Sequence, residues 1–526
     1  MQRCFSIIVV VVFSTFSISC GTEKDSTTPE SAKSTFRYVN GPEPRTIDPA
    51  LLTDSYGAYI AQNIFEGLVV WNSSGDNVEP GIAQSWSVSA DGLSWTFELR
   101  AEARWSNGEK VTAADFVNSW RRVLNPDTNS DYASLLFPIR GARDLYSGNL
   151  ADPSKVGIRA EGDRVLVVEL ERPEPDFLFL AATAVYLPVN ARSLKRSGWE
   201  WTRPGNIVCN GPFLLTQWIP EDRFVLEANP YYWDRASVKL DEVIAYSAED
   251  AERVLELWNT GSIDWSGPAT DSLFGDNVRN LESFDDFHRT NFLGTWALLI
   301  RVDEEPLSNK HLRQALSLAL DRDSIAASVG PGTEPAYSLV PKGLPGYEPS
   351  FLPKRSVERA KRMWKEHNGP SSFEVAVDRR SLSHFAVQQV VDQWSEVLGV
   401  NVTLFEREWR LHTGALSEGA FQVGRWAWAG DYLAPDNFLS VFSSDSGLNN
   451  ARYNNMGFDR LLDAAARAPD RNTRYSSLRD AEEVLLADLP VIPVFHLTSS
   501  YLLHDRVLGF EHNLLNYHPL KELNVQ

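Results

Sequence analysis

Asp91-Gly-Leu-Ser-Trp-Thr-Phe-Glu-Leu-Arg100 leads through Ser106-Asn-Gly108 into Thr112-Ala-Ala-Asp-Phe-Val-Asn-Ser-Trp-Arg-Arg122. The first stretch alternates. Leu93, Trp95, Phe97 and Leu99 share one face, which is the period of a half-buried strand. Ser106-Asn-Gly108 is a turn. Thr112 and Asp115 then stand at capping-box spacing, with Asp in the usual place of Glu. Phe116, Val117, Trp120, Val123 and Leu124 form the apolar stripe of the helix that this cap opens. The order is strand, turn, helix. It repeats along the chain, with strands expected at 36–39, 64–71, 164–171, 222–228, 240–246, 372–378 and 400–405. Helices are expected at 251–260, 385–398 and 479–486, and one starting at Ser308 or Asn309 with Leu312, Ala315, Leu316 and Leu320 on one face. A short apolar strand lies between Pro490 and Pro493. Interleaved strands and helices define an α/β or α+β class.

The chain has 526 residues, of which 43% are hydrophobic, enough for a large core and several domains. Its formal net charge of −20 repels polyanions and argues against nucleic acid as a partner. Arg3 precedes an apolar run at 5–16 that is too short to span a membrane and fits a signal peptide. Ser17-Ile-Ser-Cys20-Gly21 resembles a lipoprotein cleavage site. We therefore expect a signal peptide at 1–19 and lipidation of Cys20, with an ordinary secretion signal as the alternative. A polar tether rich in Ser, Thr and Pro follows, so that 20–35 holds the body off a membrane. Of Cys4, Cys20 and Cys209, only Cys209 remains for the body, so no internal disulfide is expected. Cys209 stands in an apolar setting and reads as a buried structural thiol.

No zinc helix, nucleophile elbow or phosphate loop is present, and the nine histidines are not at metal-ligand spacing. No metal and no cofactor are expected. A catalytic carboxylate pair of the kind used by secreted hydrolases stays open as an alternative. The other chemical signal is Arg425-Trp-Ala-Trp-Ala-Gly-Asp-Tyr432. An acid between indoles suits a cationic amine held out of water, through charge and cation–π surface. The structural alternative is a tryptophan-rich turn whose acid caps a helix or pairs with Arg425.

Several further stretches stand in a recognisable order. They are Thr46-Ile-Asp-Pro49, Asn63-Ile-Phe-Glu-Gly-Leu68, Gly81-Ile-Ala-Gln-Ser-Trp86, Asn210-Gly-Pro-Phe213, Asn229-Pro-Tyr-Tyr-Trp233, Arg313-Gln-Ala-Leu-Ser-Leu-Ala-Leu-Asp-Arg322, Tyr453-Asn-Asn455 and Pro490-Val-Ile-Pro493. With the segments above, they make the chain resemble extracellular solute-binding protein family 5, the oligopeptide- and dipeptide-binding proteins of bacterial ABC importers. The resemblance implies an α/β, two-lobed periplasmic-binding-protein clamshell of the class II type with an extra inserted domain. The discontinuous lobe I domain would take 36–65, 191–293 and 497–526, the inserted domain 66–190, and lobe II 294–496.

The implied function is capture of short peptides between the lobes and delivery to a membrane permease. A peptide held by its main chain is bound with little regard to sequence, and hydrated pockets take its side chains. Carried over residue by residue, the α-amine falls to Asp431, three residues after Trp428. Arg425, Trp409 and Tyr132 match residues around that site, and Ala427, Ala429 and Thr53 complete the ligand-binding set. Four family positions depart. Leu416 stands in place of an arginine that can meet the ligand carboxylate, and Ser383 in place of a histidine, with His384 beside it. Leu299 and Thr53 replace acids. The expected pocket is therefore less polar than in broad-range members. Implied partners are short peptides and ABC permease subunits with cytoplasmic ATPases. The membrane would be touched through the lipid anchor only, and the protein would be an exported monomer, periplasmic or on the cell surface. A specialised amine-bearing ligand (a murein peptide, an opine or a chelate) is the alternative within the class. A peptide-sensing receptor would share the same site.

Overall fold

Two separate apolar cores organise the chain. The first gathers Phe36, Tyr38, Phe97, Trp105, Trp120, Trp201 and Trp265, with Tyr501 and Leu520 from the C-terminal part. The second gathers Trp296, Leu316, Trp394, Val423, Phe438 and Ile492. Our computed structural model describes residues 33–526 apart from 175, 269–280, 283, 331, 345, 380 and 469. The signal peptide and Cys20 lie outside the described residues. The end of the expected tether does not: Thr35 already opens the strand Thr35–Gly41 and pairs with Glu242.

Each core carries its own sheets. On the first, Thr35–Gly41 runs parallel to Glu242–Ser247, followed antiparallel by Arg223–Ala228 and Phe213–Ile219. A second four-stranded sheet is antiparallel throughout, in the order Ala83–Val88, Ser94–Leu99, Val165–Glu169, Ile158–Glu161. The alternation in 93–100 is realised there, with Trp95, Phe97 and Leu99 buried. The helix Ala113–Val123 begins as its sequence demands, the Asp115 carboxylate accepting from the Thr112 backbone N–H at 2.8 Å.

The second core is built on a five-stranded sheet in the order Asn401–Arg407, Ser372–Asp378, Val423–Ala429, Phe287–Ile300, Val491–Leu502. Its last two strands are long and antiparallel. Their inner halves lie in the second core and their outer halves reach Tyr501 and the first. The lobes are thus joined by paired strands running side by side, a connection suited to a hinge. The expected strand 490–493 is only the start of Val491–Leu502. The expected helix 479–486 is part of the longer Arg471–Asp488, capped by Asp470.

Residues 64–71 depart from expectation. Only Val69–Trp71 is strand; Ile64 ends the helix Ser55–Ile64, and Phe65 follows it as the C-cap. Tyr56, Tyr59, Ile60 and Ile64 recur at helical spacing and bury one face, and the Asp54 carboxylate caps the helix by accepting from Gly57 N–H at 2.8 Å. Cys209 is buried, and burial pushes its thiol up to about 12, which suits a structural role. Among the described residues, no helix is long and apolar enough to cross a membrane.

Candidate ligand-binding site

A cavity of about 280 Å³ lies between the two cores. Its floor on the second lobe is the strand Val423–Ala429 and the loop after it. This strand pairs antiparallel with Phe287–Ile300 along its whole length, from Val423 opposite Ile300 to Ala429 opposite Gly294. On its other edge, Ser372–Asp378 pairs only with Val423 and Gly424. Beyond Gly424 no described strand covers that edge. The Arg425 carbonyl accepts there from His412 Nε2 at 2.9 Å, which assigns the proton of that ring nitrogen. Peptide groups alternate in direction along a strand. Ala427 and Ala429 therefore turn their main-chain groups to the same uncovered edge, and both line the cavity.

The chain leaves the sheet at Gly430, whose N–H donates to the Leu293 carbonyl at 2.6 Å. A Cβ at Gly430 would lie 2.5 Å from Leu293 Cδ2, so only glycine permits this approach without displacing that side chain. The tight exit turns Asp431 toward the cavity. Burial pushes its carboxyl up to about 6, and the amide of Asn437 pulls the other way. Tyr432 and Ala434, immediately after, pack into the first core, so the loop itself bridges the cleft.

All eight residues singled out from the sequence, Asp431, Trp428, Arg425, Trp409, Tyr132, Ala427, Ala429 and Thr53, line this one cavity. Tyr132 comes from the first lobe and stacks on Trp428 of the second at 6.3 Å and 16°. Tyr56 meets Trp409 edge-on at 5.9 Å in the same way. Arg425 does not pair with Asp431. It faces Asp378, Nε to Oδ2 at 3.5 Å, with both side chains buried, and its guanidinium lies 5.9 Å from the Trp409 ring. The structural alternative for Asp431, an ion pair with Arg425, is not what the chain builds.

Other expectations need correction. Leu416 lines the cavity, but Ser383, His384 and Leu299 do not. His384 pairs with Glu406 at 2.8 Å, and Leu299 is buried in the second core opposite Gly424. The cavity also carries polar groups. Arg45, Asp54, Asp131, His412 and Asn516 line it as well. Asp54 follows Thr53 and Asp131 precedes Tyr132, so sequence reasoning reached the right segments one residue away. Burial lifts the Tyr132 hydroxyl well above its ordinary range, and Asp431, Asp54 and Asp131 add to it in that order. Three carboxylates thus gather near one phenol.

A deep cleft between two hinged lobes, walled by indoles and holding a strand edge and a buried acid, is the site of a solute-binding protein. The comparisons agree. Residues 77–450 match the model of bacterial extracellular solute-binding proteins, family 5 Middle, and the chain belongs to that family. The periplasmic oligopeptide-binding protein OppA of Salmonella typhimurium is 31% identical over 492 residues, covering 91% of this chain and 90% of that protein. The structure of Haemophilus influenzae OppA in complex with the peptide RPPGFSPFR superposes with a TM-score of 0.89 at 27% identity, covering 94% of this chain and 99% of that one. The murein tripeptide binding protein MppA of Escherichia coli gives 0.89 at 27% identity, with 94% and 99% coverage. An unliganded open form of MppA gives only 0.64 at 28% identity, with 94% and 98% coverage. The lobes here therefore stand as in the peptide complex and not as in that open form. Family membership also removes the hydrolase alternative: the cleft binds a solute without transforming it.

Proposed function

We propose that this protein is the substrate-binding component of an ABC importer that captures short peptides with a free α-amine. The observation that supports this most is the strand edge at Ala427–Ala429, which no described strand covers, facing the cavity between the lobes and ending at Asp431. An extended peptide can add to that edge through its main chain, which every peptide carries alike. Its N-terminal ammonium then meets a carboxylate that no described cation neutralises, beside the stacked rings of Trp428 and Tyr132. The relatives' names point the same way: OppA is an oligopeptide-binding protein and MppA a murein tripeptide binder.

The same reading takes the body to be an exported monomer that hands its ligand to permease subunits coupled to cytoplasmic ATPases. Its domain limits would be those expected from the sequence, apart from the tether's end. Cys20 would carry the lipid anchor, and Cys20→Ser should move the protein from the membrane to the soluble fraction. Leu416 at the cavity wall favours one narrower version, a ligand whose carboxylate is met elsewhere or is absent, as in a specialised amine-bearing compound.

Asp431→Ala tests the reading. Removing one partner of a buried charge pair should weaken free-amine peptides by roughly 2–5 kcal/mol. N-acetylated peptides should bind the wild type poorly and be indifferent to the substitution. Equal affinity of the wild type for acetylated and free peptides would defeat the amine assignment.

A further inference from the structure

Asn437 is buried, outside the cavity lining, and sits in the first turn of the short helix Asp436–Leu439. Its side-chain oxygen accepts from two donors, the Trp428 indole Nε1–H at 2.9 Å and the Asp431 backbone N–H at 3.1 Å. Neither of those groups can accept a hydrogen bond, so the amide has only one orientation that satisfies them. That orientation leaves Nδ2 facing the Asp431 carboxylate, 3.5 Å from Oδ2. One amide thus touches the tryptophan wall, the backbone of the acid and the acid itself.

We propose that Asn437 is the positioning residue of amine recognition in this chain. It sets the ring plane of Trp428 and the rotation of the Asp431 carboxylate without touching ligand. Three consequences follow from its geometry. The indole N–H is satisfied from behind, so the ring offers its face to Tyr132 and to the cavity. The Asp431 backbone is pinned where the chain leaves the sheet at Gly430, which fixes the point from which the side chain starts. Among the described residues the carboxylate itself receives one long donor, enough to orient it, and its remaining lone pairs stay available for an ammonium group, which brings three donors. An arginine or lysine in this place would have neutralised the acid. An alanine would have left its rotation free and a buried indole N–H unpaired.

This inference rests on the proposed peptide reading, and its test keeps the two apart. Titration calorimetry would measure tri-alanine and N-acetyl-tri-alanine against the wild type, Asp431→Ala, Asn437→Ala and Asn437→Ser. The serine hydroxyl can satisfy one of the two N–H donors but is too short to reach the carboxylate, so that variant should fold and still lose orientation. The wild type should prefer the free amine. Both Asn437 variants should lose about ten- to a hundred-fold of that preference, as expected for losing a hydrogen bond to a charged group and its orientation, while their weak affinity for the acetylated peptide stays unchanged. A purely structural asparagine would lower the melting temperature and leave the preference ratio intact, and that result overturns the proposal while sparing the peptide reading. A wild type without any preference overturns both.

Discussion

Arg474→Ala should open the cleft. Arg474 lies on the second-lobe helix Arg471–Asp488, and its guanidinium meets three carboxylates. Nη1 contacts Glu174 Oε1 at 2.8 Å, and Nη2 contacts Asp176 Oδ2 at 3.2 Å and Asp436 Oδ2 at 3.0 Å. Glu174 and Asp176 belong to the first lobe and Asp436 to the second, so the cation ties the lobes together. The Arg474 and Glu174 side chains are only 9% and 7% exposed, so screening by solvent is weak. Breaking a buried pair by removing one partner costs roughly 3–5 kcal/mol. The contact to Asp436 is made within one lobe and Asp176 is partly exposed, so we assign about 3 kcal/mol of that to closure, on the order of a hundredfold in the closed population. Peptide affinity falls by the same factor, because a ligand bound between the lobes draws on the closed fraction. Small-angle scattering at a peptide concentration that just closes the wild type should show a larger radius of gyration for the variant, and calorimetry should show the weakened affinity. The preference for free over acetylated amine should survive, since Arg474 does not line the cavity. Glu174→Gln should act in the same direction and not add to Arg474→Ala, as residues of one ion cluster couple. Wild-type affinity and scattering in Arg474→Ala would refute the reasoning.

Two further outcomes follow from the same geometry. Burial holds the Asp431 carboxyl at about 6 in the unliganded closed form, whereas a bound ammonium needs it ionised. A group raised in the free protein and lowered in the complex makes binding release a proton, so affinity for tri-alanine should fall as pH drops below about 6 and be level from there to about 7, below the titration of the peptide's own amine; calorimetry across about pH 5–7 checks this, and an affinity that rises toward pH 5 contradicts it. Gly430→Ala places a methyl 2.5 Å from Leu293 Cδ2. Overpacking of this kind costs roughly 1–3 kcal/mol, and because Asp431 is the next residue the variant should lose peptide affinity as well as melting temperature. A variant that loses stability alone would show that the loop absorbs the strain.

Local signals carried much of the fold. The alternation of Trp95, Phe97 and Leu99 and the Thr112–Asp115 cap each depend on neighbours within a few residues, and both are present as read. The helix Ser55–Ile64 escaped because Gly57 in its first turn is a poor helix former. It is there for tertiary reasons, since a Cβ at that position would lie 2.3 Å from the Thr46 carbonyl oxygen. Val423–Ala429 escaped as a strand because it is central to its sheet and buried on both faces, which erases the alternation. Its tryptophans read as a chemical motif, and they occupy strand positions as well.

The site divides along the same line. Asp431 was singled out through the family resemblance, by its place three residues beyond an indole, and it lines the cavity. What gives that acid its properties is not local. Asn437 reaches back six residues to Asp431 and nine to Trp428, and an asparagine after Pro435-Asp436 reads from sequence as an ordinary helix start. The cation that ties down the same turn lies 38 residues beyond Asp436, and its partner Glu174 is 300 residues before it. Asp436 and Asn437 are adjacent, one facing the interlobe ion cluster and the other the proposed amine site at Asp431. Ligand capture and lobe closure therefore meet in a single turn of helix. Substitutions there should disturb both, whereas those at Arg474 should disturb closure alone, and the free-to-acetylated preference ratio distinguishes the two.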